Sequence, residues 1–226
     1  MKIVLLPGLD GTGLLFKPLL EALPKGTQTQ VISYPTDSPL GYRELTDLVA
    51  GKLPGDKYVL LGESFSGYIA SQIALQKPKN LQAVIFVGAF LDNPRPLLLA
   101  LSEWLPMDKL LSAPVPDFII KRYLLGRNAD HSLTALVRDC LRQVSPQVLA
   151  TRLQEIARLN CSLQRCDLAS HYIQANADRL VAKSGLEGFK KVFDNLTIHE
   201  IPGGHLILQS NPSACAKILV EAITQK

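Results

Sequence analysis

Several absences narrow what this chain is before anything in it is interpreted. Cysteine is scarce, at Cys140, Cys161, Cys166 and Cys215 only. The one close pair, Cys161 and Cys166, has no partner pair, so zinc-knuckle spacing is missing and no metal site is expected. The thiols read as reduced, which places the chain in the cytoplasm. Long apolar runs are missing too. The N-terminal "MKIVLLPGLDG" is broken at Pro7-Gly8 after the run Ile3–Leu6, which is too short for a signal-peptide core. No stretch approaches the roughly 18 apolar residues of a membrane span, so stable membrane insertion is not expected. Charge of one sign is never concentrated: 24 basic and 20 acidic residues are interspersed, for a net +4. That patterning gives no footprint for nucleic acid or an anionic membrane.

What is present suits a globular α/β protein. The 226 residues, 47% hydrophobic and 19% charged, are enough to bury one large core with an insertion. Short apolar runs bounded by turn residues predict strands at Lys2–Leu6, Gln30–Ser33, Tyr58–Leu61, Ala83–Val87, His171–Gln174 and Leu196–Ile201. Most are continuously apolar, as strands buried on both faces of a parallel sheet are. Helical periodicity between them predicts helices at Leu14–Leu23, Tyr42–Leu53, Ser66–Gln76 and Ser213–Thr224. This alternation implies a mostly parallel sheet of about six strands with right-handed crossovers.

The alternation stops at "FLDNPRP", and from residue 91 to about residue 165 only helical periodicity is found. Leu133, Leu136, Val137, Cys140, Leu141 and Val144 form one stripe. Ser145-Pro146 is an N-cap and first-turn pair for a helix turning Leu149, Leu153, Ile156 and Ala157 inward. The expected organisation is therefore a core of residues 1–90 and 166–226 interrupted by a helical lid at 91–165, whose Trp104 and Phe118 could line an apolar pocket.

Chemistry concentrates in "YVLLGESFSGYIASQIAL". A buried strand runs into Gly62-Glu63-Ser64-Phe65-Ser66-Gly67 and then directly into a helix. The G-x-S-x-G elbow pattern needs small flanking residues so that helix and strand can approach; here Ser66 occupies the second glycine position and Gly67 follows it. An ordinary hydrogen-bonded turn at Ser64 is the competing reading. A nucleophilic serine needs a base and a carboxylate to orient that base. Of four histidines, His131 reads as a helix-start or surface residue, and His171 and His199 read as strand residues. His205 follows Ile201-Pro202-Gly203-Gly204 on the loop after the last strand, where a base would be accessible. Asp178 follows the fifth strand; its competitors Asp167 and Asp194 precede strands. Ligand-facing groups in open α/β sheets lie at the carboxyl ends of strands, which favours Asp178. The glycines of "LLPGLDGTG" suit backbone donors for an oxyanion, with the N–H groups of Leu9 and Phe65 as candidates. Their order is not that of a dinucleotide fingerprint, and no cofactor is expected. Glu63 either supports the turn or tunes its chemistry.

Together, "LPGLDGTG", "LLGESFSG", "NADRLV" and "PGGHLILQSNP" resemble, in order, the oxyanion loop, elbow, acid loop and histidine loop of the α/β-hydrolase superfamily, most like its small lidded carboxylesterase and lipase-like members. The resemblance covers the core segments and implies a sheet trimmed to six strands, since the chain begins at the third strand of the full fold. Its oxyanion loop opens Leu-Pro-Gly where many members carry His-Gly, so a side chain that often supports that loop is absent. The expected function is a serine hydrolase of carboxylic esters acting through Ser64, Asp178 and His205, on a small-molecule substrate. Acyl transfer or thioester hydrolysis by the same residues, and a non-catalytic ligand-binding protein on this fold, are the alternatives.

Overall fold

The computed structural model describes residues 1–96, 111–113, 115–126, 129–162, 164–181 and 184–224. Trp104 lies outside the described residues. Six strands form one sheet: β1 (Lys2–Leu6), β2 (Thr29–Val31), β3 (Tyr58–Glu63), β4 (Leu81–Val87), β5 (Ser170–Ala175) and β6 (Leu196–Ile201). Their order is β2-β1-β3-β4-β5-β6, and every neighbouring pair is parallel. Successive side chains of a strand face opposite sides, and the sheet is covered on both. Val4, Leu6, Leu60, Phe86 and Tyr172 pack in one cluster; Ile3, Leu5, Val59, Leu61, Ile85 and Ile173 pack in the other. Burial on both faces is why these strands read as continuous apolar runs.

Helices α1 (Lys17–Ala22), α2 (Tyr42–Ala50) and α3 (Ser66–Leu75) belong to the first half of the chain. A 3-10 turn at Leu14–Phe16 precedes α1, so the predicted helix 14–23 is built in two pieces. Helix α2 ends at Ala50 rather than Leu53, because Gly51 follows and Pro54 disfavours helical backbone at Leu53. Strand β3 runs on to Glu63, two residues beyond the apolar run, and buries all six of its residues.

Among the described residues, the segment between β4 and Cys166 is helical wherever it is regular. Asp117–Ile119 continues into a π-helical turn at Ile120–Leu125, followed by α4 (His131–Arg142) and α5 (Pro146–Ala157). Asp130 and Ser145 cap the last two, accepting from the Leu133 N–H at 2.8 Å and the Val148 N–H at 3.2 Å. Leu149 and Ile156 are buried as their spacing implies, but so is Arg152 between them, which apolar periodicity does not anticipate. The chain closes with α6 (Ser184–Val192), α7 (Ile207–Ser210) and α8 (Pro212–Thr224).

Strand order reverses direction between β1 and β3, so the loops leaving these neighbours diverge and open a crevice at their carboxyl ends. Close packing of β3 against α3 brings that crevice to Ser64. A Cβ at Gly62 would lie 2.6 Å from the Ser66 carbonyl oxygen and 2.8 Å from the Ala70 Cβ. Gly62→Ala should therefore lower unfolding stability by about 1–3 kcal/mol, measured by urea denaturation. Gly55→Ala, where a Cβ meets nothing within 4 Å, should change it little. Equal stability for both variants would contradict this packing.

Candidate active site

Ser64 opens the two-residue turn between β3 and the helix that follows it, with φ at +49°. Left-handed backbone at a non-glycine residue costs about 1–2 kcal/mol, so the surroundings must hold it. The Ser64 N–H donates to the Val87 carbonyl at 2.8 Å, and the Ser64 carbonyl accepts from the Gly67 N–H at 3.0 Å. Gly67 is needed where it stands, since a Cβ there would be 2.3 Å from that of Ala89. The small residue displaced by one position is thus set by contact with the loop after β4. Ser66 is not a passive replacement for glycine. Its buried hydroxyl donates to the Pro7 carbonyl and accepts from the Tyr34 hydroxyl at 2.5 Å, tying the elbow to the loop after β1.

The structure brings His205 and Asp178 to this serine. His205 Nε2 is 2.9 Å from Ser64 Oγ, and Nδ1 is 2.7 Å from Asp178 Oδ2. The bond to Asp178 fixes Nδ1 as the protonated nitrogen, which turns the Nε2 lone pair toward the serine hydroxyl. Asp178 is itself held by the N–H groups of Leu180 and Val181, which donate to Oδ1 at 2.8 and 2.9 Å. The His205 and Asp178 side chains are 4% and 6% exposed. Burial opposes a charge on His205, but Asp178, with help from Glu63, outweighs it and raises the imidazole above its ordinary value. The other candidates lie elsewhere. His171 and His199 contact each other at 3.1 Å on adjacent strands, and His131 is exposed at the start of α4. Asp167 meets Lys77 at 3.1 Å, and Asp194 accepts from Arg165 Nε at 2.8 Å.

Gly8 lies beside the serine: a Cβ there would be 3.8 Å from Ser64 Cβ. Among the described residues, neither the Leu9 nor the Phe65 N–H donates to a protein acceptor. Phe65 heads α3, whose first-turn N–H groups have no intrahelical partner, and its ring is stacked on Tyr42 at 4.5 Å. The arrangement sets a serine hydroxyl, an imidazole and a carboxylate in one hydrogen-bonded line. Apolar patterning did not reveal Tyr34, Ser66 or Gln209. The signal for Arg152 was a charge on the inward stripe of α5, three residues after Leu149.

Glu63 sits fully inside. Gln209 Nε2 donates to its Oε1 at 3.0 Å, while Gln209 Oε1 has no partner among the described residues. Burial, with a smaller push from Asp10, raises its carboxyl from the ordinary 4.5 to about 7. The folded chain therefore keeps a proton there that the unfolded chain has released. This contribution to stability is full below the ordinary carboxylate range and is lost as pH rises through about 7. Glu63→Gln stays neutral and supplies an amide donor for Gln209. Its melting temperature should exceed that of the wild type by a margin that widens between pH 5 and pH 8.5, read by thermal unfolding across pH. A margin independent of pH would contradict a buried, protonated Glu63.

Residues 3–218 match the model of the alpha/beta hydrolase family. No curated protein matches the chain. Among solved structures it is similar to the enol-lactonase from Burkholderia xenovorans LB400, with TM-score 0.79, 16% identity, and 99% of this chain and 91% of that one covered. It is also similar to an esterase from Exiguobacterium antarcticum, with TM-score 0.79, 13% identity, and 100% and 92% covered. A lipase-esterase related protein from Clostridium acetobutylicum ATCC 824 gives TM-score 0.76, 16% identity, and 97% and 93% covered. Identities this low speak for the fold alone. The family match spans nearly the whole chain and coincides with a six-stranded parallel sheet: the chain belongs to the alpha/beta hydrolase family.

Proposed function

We propose that the protein is a serine hydrolase of carboxylic esters working through an acyl-enzyme. The observation that carries this reading is the unbroken line from Ser64 Oγ through His205 to Asp178, at 2.9 and 2.7 Å, on a serine held in left-handed backbone. Ser64 Oγ attacks the ester carbonyl as His205 Nε2 takes its proton. Asp178 keeps the imidazole in the required tautomer and stabilises the imidazolium. The carbonyl oxygen becomes an oxyanion facing the Leu9 and Phe65 N–H groups, each such donor being worth roughly 2.7–4 kcal/mol. Collapse of the tetrahedral species returns the proton to the departing alcohol. Water then attacks the acyl-enzyme, with His205 again as base, and releases the acid and Ser64.

The segment 91–165, helical where it is regular among the described residues, is the natural lid on this reading. Its π-helical turn meets the histidine loop directly: the Leu206 N–H donates to the Leu124 carbonyl at 2.9 Å, and a Cβ at Gly204 would lie 2.7 Å from the same oxygen. The base is thus braced by the segment expected to choose the substrate.

A series of p-nitrophenyl esters from acetate to palmitate tests the proposal. Wild type should hydrolyse the short to medium esters. Ser64→Ala and His205→Gln should each lose about 10⁴-fold or more in kcat, while His199→Gln should stay close to wild type. A folded Ser64→Ala variant with undiminished turnover would overturn the assignment. Turnover only when an alcohol or amine acceptor is added would redirect it to acyl transfer.

A further inference from the structure

Helix α5 carries a charged residue whose burial the reaction above leaves unexplained. Arg152 is 0% exposed, and among the described residues no carboxylate lies in ion-pair contact with it. An unpaired guanidinium so deep is costly unless strong hydrogen bonds offset its lost hydration. Its bonds go to backbone oxygens of the core: Nη1 donates to the Leu9 and Asp10 carbonyls at 2.8 and 2.9 Å, and Nη2 to the Pro35 carbonyl at 2.8 Å. The planar fork can hold several acceptors in fixed directions, which a lysine ammonium cannot. The loop is shaped around it. Gly11 has φ at +73°, and a Cβ there would lie 2.6 Å from Arg152 Nη1.

The Leu9 and Asp10 carbonyls belong to the loop beside Ser64, and the Pro35 carbonyl to the segment after β2. The Gly8 carbonyl accepts from the Gly11 N–H at 3.1 Å. In a trans peptide the N–H points opposite to its own carbonyl, so this turn directs the Leu9 N–H away from Gly11. Arg152 fixes the next two peptide planes by their oxygens and so prevents the Leu9 N–H from swinging back. The Tyr34–Ser66–Pro7 bonds anchor the other end of the loop, and the Tyr34 ring lies 5.6 Å from the Arg152 guanidinium.

We propose that Arg152, supplied by the helical segment between β4 and β5, is a positioning residue that holds the Leu9 N–H in place for the oxyanion. This rests on the serine-hydrolase reading and extends it: the helical segment completes the catalytic apparatus of the core as well as covering it.

The test compares wild type with Arg152→Lys and Arg152→Ala, using the best p-nitrophenyl ester, a trifluoromethyl ketone carrying the same acyl chain, and the product acid. The ketone accepts Ser64 Oγ at its carbonyl carbon, its oxygen becomes the oxyanion, and the serine proton passes to His205. It therefore reports the oxyanion site, whereas the acid reports only pocket binding. Losing one well-placed donor costs about 10²-fold in kcat. Folded Arg152 variants should lose about that much kcat and ketone affinity together, with KM and acid affinity within a few-fold of wild type, Lys less affected than Ala. Unchanged kcat and ketone affinity, parallel loss of acid affinity, or failure of both variants to fold would overturn the proposal. A wild type that hydrolyses no ester and is not inhibited by the ketone would instead overturn the reading beneath it.

Discussion

The reversal at Ser64 is the constraint around which the molecule is arranged. A strand buried on both faces must stop, turn through one left-handed residue and enter a helix that lies directly back against it. Such a turn is unfavourable for serine in isolation. It persists because three neighbours have been fitted to it: Gly62 yields to the Ser66 backbone, Gly67 yields to Ala89, and the Val87 carbonyl receives the Ser64 N–H. Strain of this kind is retained where surrounding packing over-determines it, and it concentrates at functional positions. Its product is a hydroxyl raised above the sheet edge, where the loops after β1, β5 and β6 also arrive.

Electrostatics follow from the same enclosure. His205 and Asp178 are withdrawn from water, which strengthens their mutual attraction, and the imidazole pKa rises despite burial. Glu63 is forced into the same enclosure by the extension of β3, and it holds a proton to about neutrality. The side chains of Glu63 and Asp178 are thus held differently: Asp178 accepts three hydrogen bonds, whereas Glu63 accepts one and carries the cost of burial.

Much of the fold was legible because parallel strands buried on both faces leave unbroken apolar runs; β1 matches its predicted span residue for residue, and the edge strand β6 does too although its run is alternating and largely exposed. Ser64, Asp178 and His205 could be picked out as candidates because each lies just beyond a strand end, and only four histidines compete for the role of base. What the sequence hid is what needs three dimensions. Ser66 reads as a departure from the elbow pattern, yet its hydroxyl joins two loops 59 residues apart. Arg152 lies more than 140 residues from the carbonyls of Leu9 and Asp10 that it holds, and no local pattern links a helix face to a distant loop. Nothing in Leu-Pro-Gly at the start of the loop after β1 hints that a guanidinium from another segment reaches that loop.

The central claim is that Ser64 is a nucleophile activated by His205. Incubating the intact protein with a fluorophosphonate, then weighing it and mapping its peptides by mass spectrometry, tests this without knowledge of the natural substrate. The account predicts a single adduct on the peptide containing Ser64, formed rapidly in the wild type and greatly slowed in His205→Gln. Labelling at another residue, or a folded wild type that takes up no label, would contradict it.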